Sequence, residues 1–115
     1  MPINATIDPD TERAARAFLA KLSAQYDLAG AVLFGSRARG GFRPDRDADI
    51  AVLRRGVPGQ RVDEALKMAD IAFDVMLDTG ILFEAIPFWE QEWEHPERFS
   101  NPALIANIRR HGLRL

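Results

Sequence analysis

The sequence predicts an α/β domain built on a small mixed β-sheet of about four strands flanked by helices. Short apolar runs bounded by Gly, Pro and Asp recur along the chain, with helix-period stretches between them. At 115 residues and 47% apolar content, the chain is sized for one core, so residues 1–115 are read as a single domain.

Asp8-Pro9 reads as an N-cap followed by proline at the first helical position. Ala14, Ala15, Phe18, Leu19 and Leu22 then recur at helical spacing, which predicts an amphipathic helix over 9–25. Residues 29–34 form a short apolar run that stops at Gly35, the mark of a buried strand. Residues 36–45, rich in Arg, Gly and Pro, read as a loop with room for one helical turn. From Asp47 to Leu53 the residues alternate, Asp47, Asp49 and Ala51 on one face and Ala48, Ile50 and Val52 on the other. Gly56, Pro58 and Gly59 break the chain before a helix over about 60–69. Residues 71–77 alternate again and predict a third strand, with Asp74 as a carboxylate amid apolar neighbours. A short fourth strand over 81–86 is expected to end at Pro87. Trp89 and Trp93, four apart beside Phe88, read as core, the alternative being an apolar patch for a partner. Asn101-Pro102 opens a last helix carrying Leu104, Ile105 and Ile108, with Gly112 as its C-cap. The predicted helices lie mostly on one face of the sheet.

The chemistry centres on residues 35–49. After a buried strand, Gly35 permits a tight turn, and backbone N–H groups there can form a nest for an anion. The Ser36 hydroxyl can donate to a phosphate oxygen, with Arg37 and Arg39 in reach of the same region. Ser36 can equally cap a helical turn, and the arginines can be solvated loop residues. Asp47 and Asp49 share a strand face and can converge on a cation. All-oxygen ligands with no Cys or His nearby suit a hard ion, with Mg2+ the foremost choice. If the strand carrying Asp74 lies alongside, Asp74 is the third carboxylate of a cluster whose mutual repulsion a pair of magnesium ions relieves. Two competing motifs fail. An EF-hand starting at Asp45 needs Gly at its sixth position and Glu at its twelfth, and Ile50 and Gly56 stand there. A Walker A loop needs Gly-Lys-Ser/Thr, which does not follow.

Gly35-Ser36, ten residues, then Asp47-Ala48-Asp49 resembles the signature of the DNA polymerase beta-type nucleotidyltransferase superfamily. The wider Gly-Ser-Arg-Ala-Arg-Gly run and the ending Asn107-Ile108-Arg109-Arg110-His111-Gly112 resemble its small minimal nucleotidyltransferases. The resemblance implies ATP as substrate and transfer of AMP to an acceptor hydroxyl. It implies that Gly35 and Ser36 hold the terminal phosphates, that Asp47 and Asp49 bind metal, and that Asp74 completes the site and accepts the hydroxyl proton. It also implies a partner: many minimal nucleotidyltransferases act as antitoxins to a HEPN-type toxin, and some adenylylate a tyrosine of it. This chain departs from its relatives in carrying Arg46 before Asp47, where serine is common, and an additional carboxylate at Asp45. Two rival functions are a non-catalytic module that neutralises its partner by occlusion and a nucleotidyltransferase acting on a small molecule.

Composition narrows the setting. Residues 37–61 hold seven arginines against three aspartates, yet the whole chain has a net charge of -2, which argues against a protein that coats nucleic acid. There are no cysteines, so disulfides, thiolate zinc sites and a Cys nucleophile are excluded. The early Asp8, Asp10 and Glu12 do not fit a signal peptide, and no apolar run approaches the roughly 20 residues of a membrane span. A cytoplasmic protein without membrane contact is the expectation.

Overall fold

The computed structural model describes residues 7–39 and 47–115. Helix α1 spans Pro9–Ser23. Asp8 caps it, its Oδ2 accepting from the Thr11 backbone N–H at 3.0 Å, and Asp10 and Glu12 add acidic charge to the first turn, where the helix dipole favours it. The helix buries Thr11, Ala14, Ala15, Phe18 and Leu22, a stripe at helical spacing.

Strand β1 (Leu28–Phe34) runs to the Gly35 turn, where α2 (Ser36–Arg39) makes a single turn. Strand β2 covers Ala48–Arg54. It pairs antiparallel with β1 and parallel with β3 (Phe83–Trp89), while β4 (Leu113–Arg114) adds to the other side of β1. The sheet order is β3-β2-β1-β4, a mixed four-stranded sheet as the sequence predicts. The central strands are buried on both faces, which explains their near-continuous apolar runs.

The predicted short helix and third strand over 60–77 are a single helix, α3, spanning Arg61–Thr79. Its buried residues Met68, Ile71, Ala72 and Val75 have helical spacing, whereas Phe73 and Leu77, which mimic strand alternation, are exposed. Nothing between 60 and 79 breaks a helix. Gly80 ends it in the left-handed conformation (φ 81°), its N–H donating to the Met76 carbonyl at 2.8 Å.

The fourth predicted strand is therefore third in order, and it runs through Pro87 to Trp89. Proline is tolerated because β3 lies at the sheet edge, where one side of the strand has no ladder to supply. Helices α4 (Glu90–Glu94) and α5 (Pro102–His111) follow, separated by a 3-10 turn at Pro96–Arg98.

Helices cover both faces of the sheet, not mostly one. Helices α1 and α3 pack with Ala31, Leu33, Ile50 and Val52 on one side. On the other side Trp93 of α4 and Ile105 and Ile108 of α5 pack with Val32, Ala51, Leu53 and Phe88. Phe88, Trp89 and Trp93 are core residues, as expected. Arg61 fastens the end of β3: it pairs with Glu92, donates to the Pro87 carbonyl at 2.6 Å and lies 5.3 Å from the Trp89 ring centre. No helix among the described residues is long and apolar enough to cross a membrane.

Candidate active site

Adjacent strands carry the carboxylates to one end of the sheet. On β2, Asp49 has the parity of Ala51 and Leu53, so it extends the face that α4 and α5 cover further down. Phe34, the last residue of β1, pairs with Asp49, which sets the Gly35 turn beside that carboxylate. Gly35 has φ 76°, in the left-handed region, and a Cβ built there would overlap Asp49 Oδ2. Two independent constraints, backbone conformation and close approach, therefore require glycine. Ser36 is half-buried as the first residue of α2. Asp47 is exposed just ahead of β2.

The structure brings Glu84, not Asp74, beside Asp49. Parallel pairing of β2 with β3 puts Glu84 directly opposite Asp49, on a neighbouring strand about 4.8 Å away. Asp74 sits on the exposed side of α3, and α3 covers the opposite face of the sheet from Asp49. The expected convergence of Asp74 with Asp49 needed a strand at 71–77, and residues 61–79 are helical. Glu84 carries the same sequence signal that drew notice to Asp74: a lone acid inside an apolar strand, Phe83-Glu84-Ala85-Ile86.

The cluster is electrostatically strained. The Glu84 carboxyl holds its proton above the ordinary glutamate value of 4.5. Partial burial of the carboxyl is the largest cause, followed by the negative charges of Asp49 and then Asp47 and by hydrogen bonding to both. Glu84 as a whole residue is exposed, so solvent screens the effect. The sign of its consequence for stability is fixed. The folded state binds this proton more tightly than the unfolded chain, so stability falls as pH rises above 4.5 through the raised folded value. Without divalent cations, Tm should therefore decline over that interval, and Glu84→Gln should flatten the decline and raise Tm at neutral pH. Scanning calorimetry across pH in chelator, on both proteins, checks this.

Among the described residues, no three His, Cys, Asp or Glu side chains are placed as they stand to hold a metal ion together. The donor set nevertheless fits a hard divalent cation: three carboxylates from adjoining positions, one of them titrating high through partial burial and then through its negative neighbours. Asp47, Asp49 and Glu84 are the residues that would hold it.

The two arginines expected beside the turn fare differently. Arg37 is buried, 4% exposed, and its Nη1 donates to Thr11 Oγ1 at 2.8 Å. Thr11 Oγ1 in turn donates to Asp8 Oδ2 at 3.0 Å, so Arg37 ties α2 to the capped start of α1. It also lines a cleft of about 610 Å³ with Asp8, Asp10, Arg13 and Asp78, a space that lies apart from the three carboxylates. The Arg39 side chain and residues 40–46, including Arg43, Asp45 and Arg46, lie outside the described residues.

The model of the family described as Polymerase beta, Nucleotidyltransferase matches residues 19–95, a span that includes Gly35, Asp47, Asp49 and Glu84. Among solved structures, the chain is similar to a candidate nucleotidyltransferase from Sulfolobus solfataricus, with a TM-score of 0.54 and 22% identity over 82% of this chain and 81% of that one. That likeness concerns the fold. No curated protein matches the chain.

Proposed function

Because the chain belongs to the polymerase beta-type nucleotidyltransferase family, we propose that it moves AMP from ATP to a hydroxyl of a partner protein, with Mg2+ held by Asp47, Asp49 and Glu84. The observation that carries this reading is the register of Asp49 against Glu84, which turns an Asp-x-Asp pair into a three-carboxylate site beside a glycine turn. Bound there, magnesium would neutralise phosphate charge and acidify the attacking hydroxyl. The Gly35–Ser36 turn donates to the terminal phosphates through backbone N–H and hydroxyl. The acceptor oxygen attacks the α-phosphorus, the bond from that phosphorus to the pyrophosphate oxygen breaks, and pyrophosphate leaves. Glu84, in register with Asp49, is the carboxylate that accepts the proton released by the hydroxyl.

The Gly-Ser-Arg-Ala-Arg-Gly run and the Asn107–Gly112 ending support a protein acceptor of the HEPN-toxin kind, with this chain as the antitoxin. The test is Asp47→Asn combined with Asp49→Asn, assayed for labelled AMP on a co-expressed HEPN-type partner. Loss of label by at least about 10³-fold is expected, since several kcal/mol of charge stabilisation disappear. Undiminished labelling by the double variant overturns the mechanism.

A further inference from the structure

Helix α3 presents a second apolar face that no described residue covers. Val62, Leu66, Phe73 and Leu77 are 71%, 62%, 52% and 67% exposed. With exposed Ala69 they follow steps of four and three residues, the spacing of a coiled-coil seam. At 1.5 Å per residue the seam is about 22 Å long. Aligned exposed apolar side chains of this extent mark interaction sites, whereas scattered ones need no explanation.

Charge along one flank of the seam limits what can cover it. Asp63, Asp70, Asp74 and Asp78 form an exposed stripe interrupted only by Lys67. None of the four aspartates is in an ion pair with another described residue. Asp78 stands in the last turn, where the helix dipole disfavours an acid, and that turn has no basic residue to compensate. The helix dipole favours Asp63 in the first turn, but the fold does not reward Asp70, Asp74 or Asp78. An antiparallel second copy is a poor occupant: two-fold pairing of antiparallel helices sets both acidic stripes on the same side of the pair, acid against acid.

We propose that the outer face of α3 is a docking surface for a partner protein presenting an amphipathic helix whose apolar seam is edged with lysine or arginine. The surface is on the opposite side of the sheet from Asp49 and Glu84, so the proposal stands independently of the reaction.

The probe is a synthetic helical peptide of about 20 residues with leucine at the seam positions and lysine along one flank, compared with the same peptide carrying glutamate there. Fluorescence anisotropy on the full chain should show the lysine peptide binding at least about tenfold tighter, a difference of about 1.4 kcal/mol. Leu66→Lys with Phe73→Lys should abolish that binding, and far-UV circular dichroism should stay unchanged because both positions are exposed. Sedimentation should show the unmodified chain free of association through this face. Equal binding of both peptides, no binding of the lysine peptide, retention by the double variant, or a dimer that the double variant splits would each overturn the proposal.

Discussion

Glu84→Gln should cut nucleotidyl transfer by on the order of 10³-fold, while Asp74→Asn should leave it within about twofold. The two acids have nearly the same sequence setting, each a single carboxylate among apolar residues, and the fold separates them. Glu84 is in register with Asp49 on the neighbouring strand; Asp74 is on the solvent side of a helix over the other face. Glutamine keeps the volume and one acceptor oxygen of Glu84 but removes the charge and the proton-accepting capacity. Single-turnover transfer of labelled AMP, measured for both variants at saturating magnesium, decides between them. Equal loss in both, or loss only in Asp74→Asn, would restore the assignment that a strand at 71–77 implied.

Gly35→Ala is the second substitution with a large expected effect. A side chain at φ 76° costs about 1–2 kcal/mol in backbone strain. Its Cβ would also overlap Asp49 Oδ2, so the carboxylate must give way. A displacement near 1 Å at a reacting centre lowers rates by about 10²-fold. The variant should therefore fold with reduced stability and lose most of its activity. Urea unfolding and the transfer assay, run on the same preparation, read the two effects separately. By contrast, Gly56 also has a positive φ (100°) but has open space where a Cβ would sit, so alanine there should cost stability without touching transfer.

Local signals made most of the fold legible in the sequence. The Asp8-Pro9 and Asn101-Pro102 caps located two helices, and the apolar run before Gly35 located β1. The glycine turn and Asp-x-Asp pair were legible because both lie within one strand-turn-strand unit. Helix α3 misled for a physical reason: with one apolar face toward the core and another toward solvent, it loses the amphipathic period that identifies a helix. Ile71, Phe73, Val75 and Leu77 then pass for strand alternation. Glu84 was missed because its role depends on parallel pairing across α3, which the tertiary fold sets and no short motif encodes. The extension of β3 through Pro87 was hidden in the same way, since only sheet order reveals that this strand is at the edge.

The β2–β3 ladder is held unequally along its length. At one end Leu53 pairs with Phe88 and Arg54 with Trp89, within a buried aromatic cluster and beside the Arg61 clamp. At the other end buried Ala48 pairs with buried Phe83, whose ring stacks on Phe18 at 5.2 Å between centres. One step inside that end Asp49 faces Glu84, carboxylate against carboxylate. The repulsive pair is thus set between apolar pairs on either side, so the carboxylates can adjust to a nucleotide while the sheet stays closed around them.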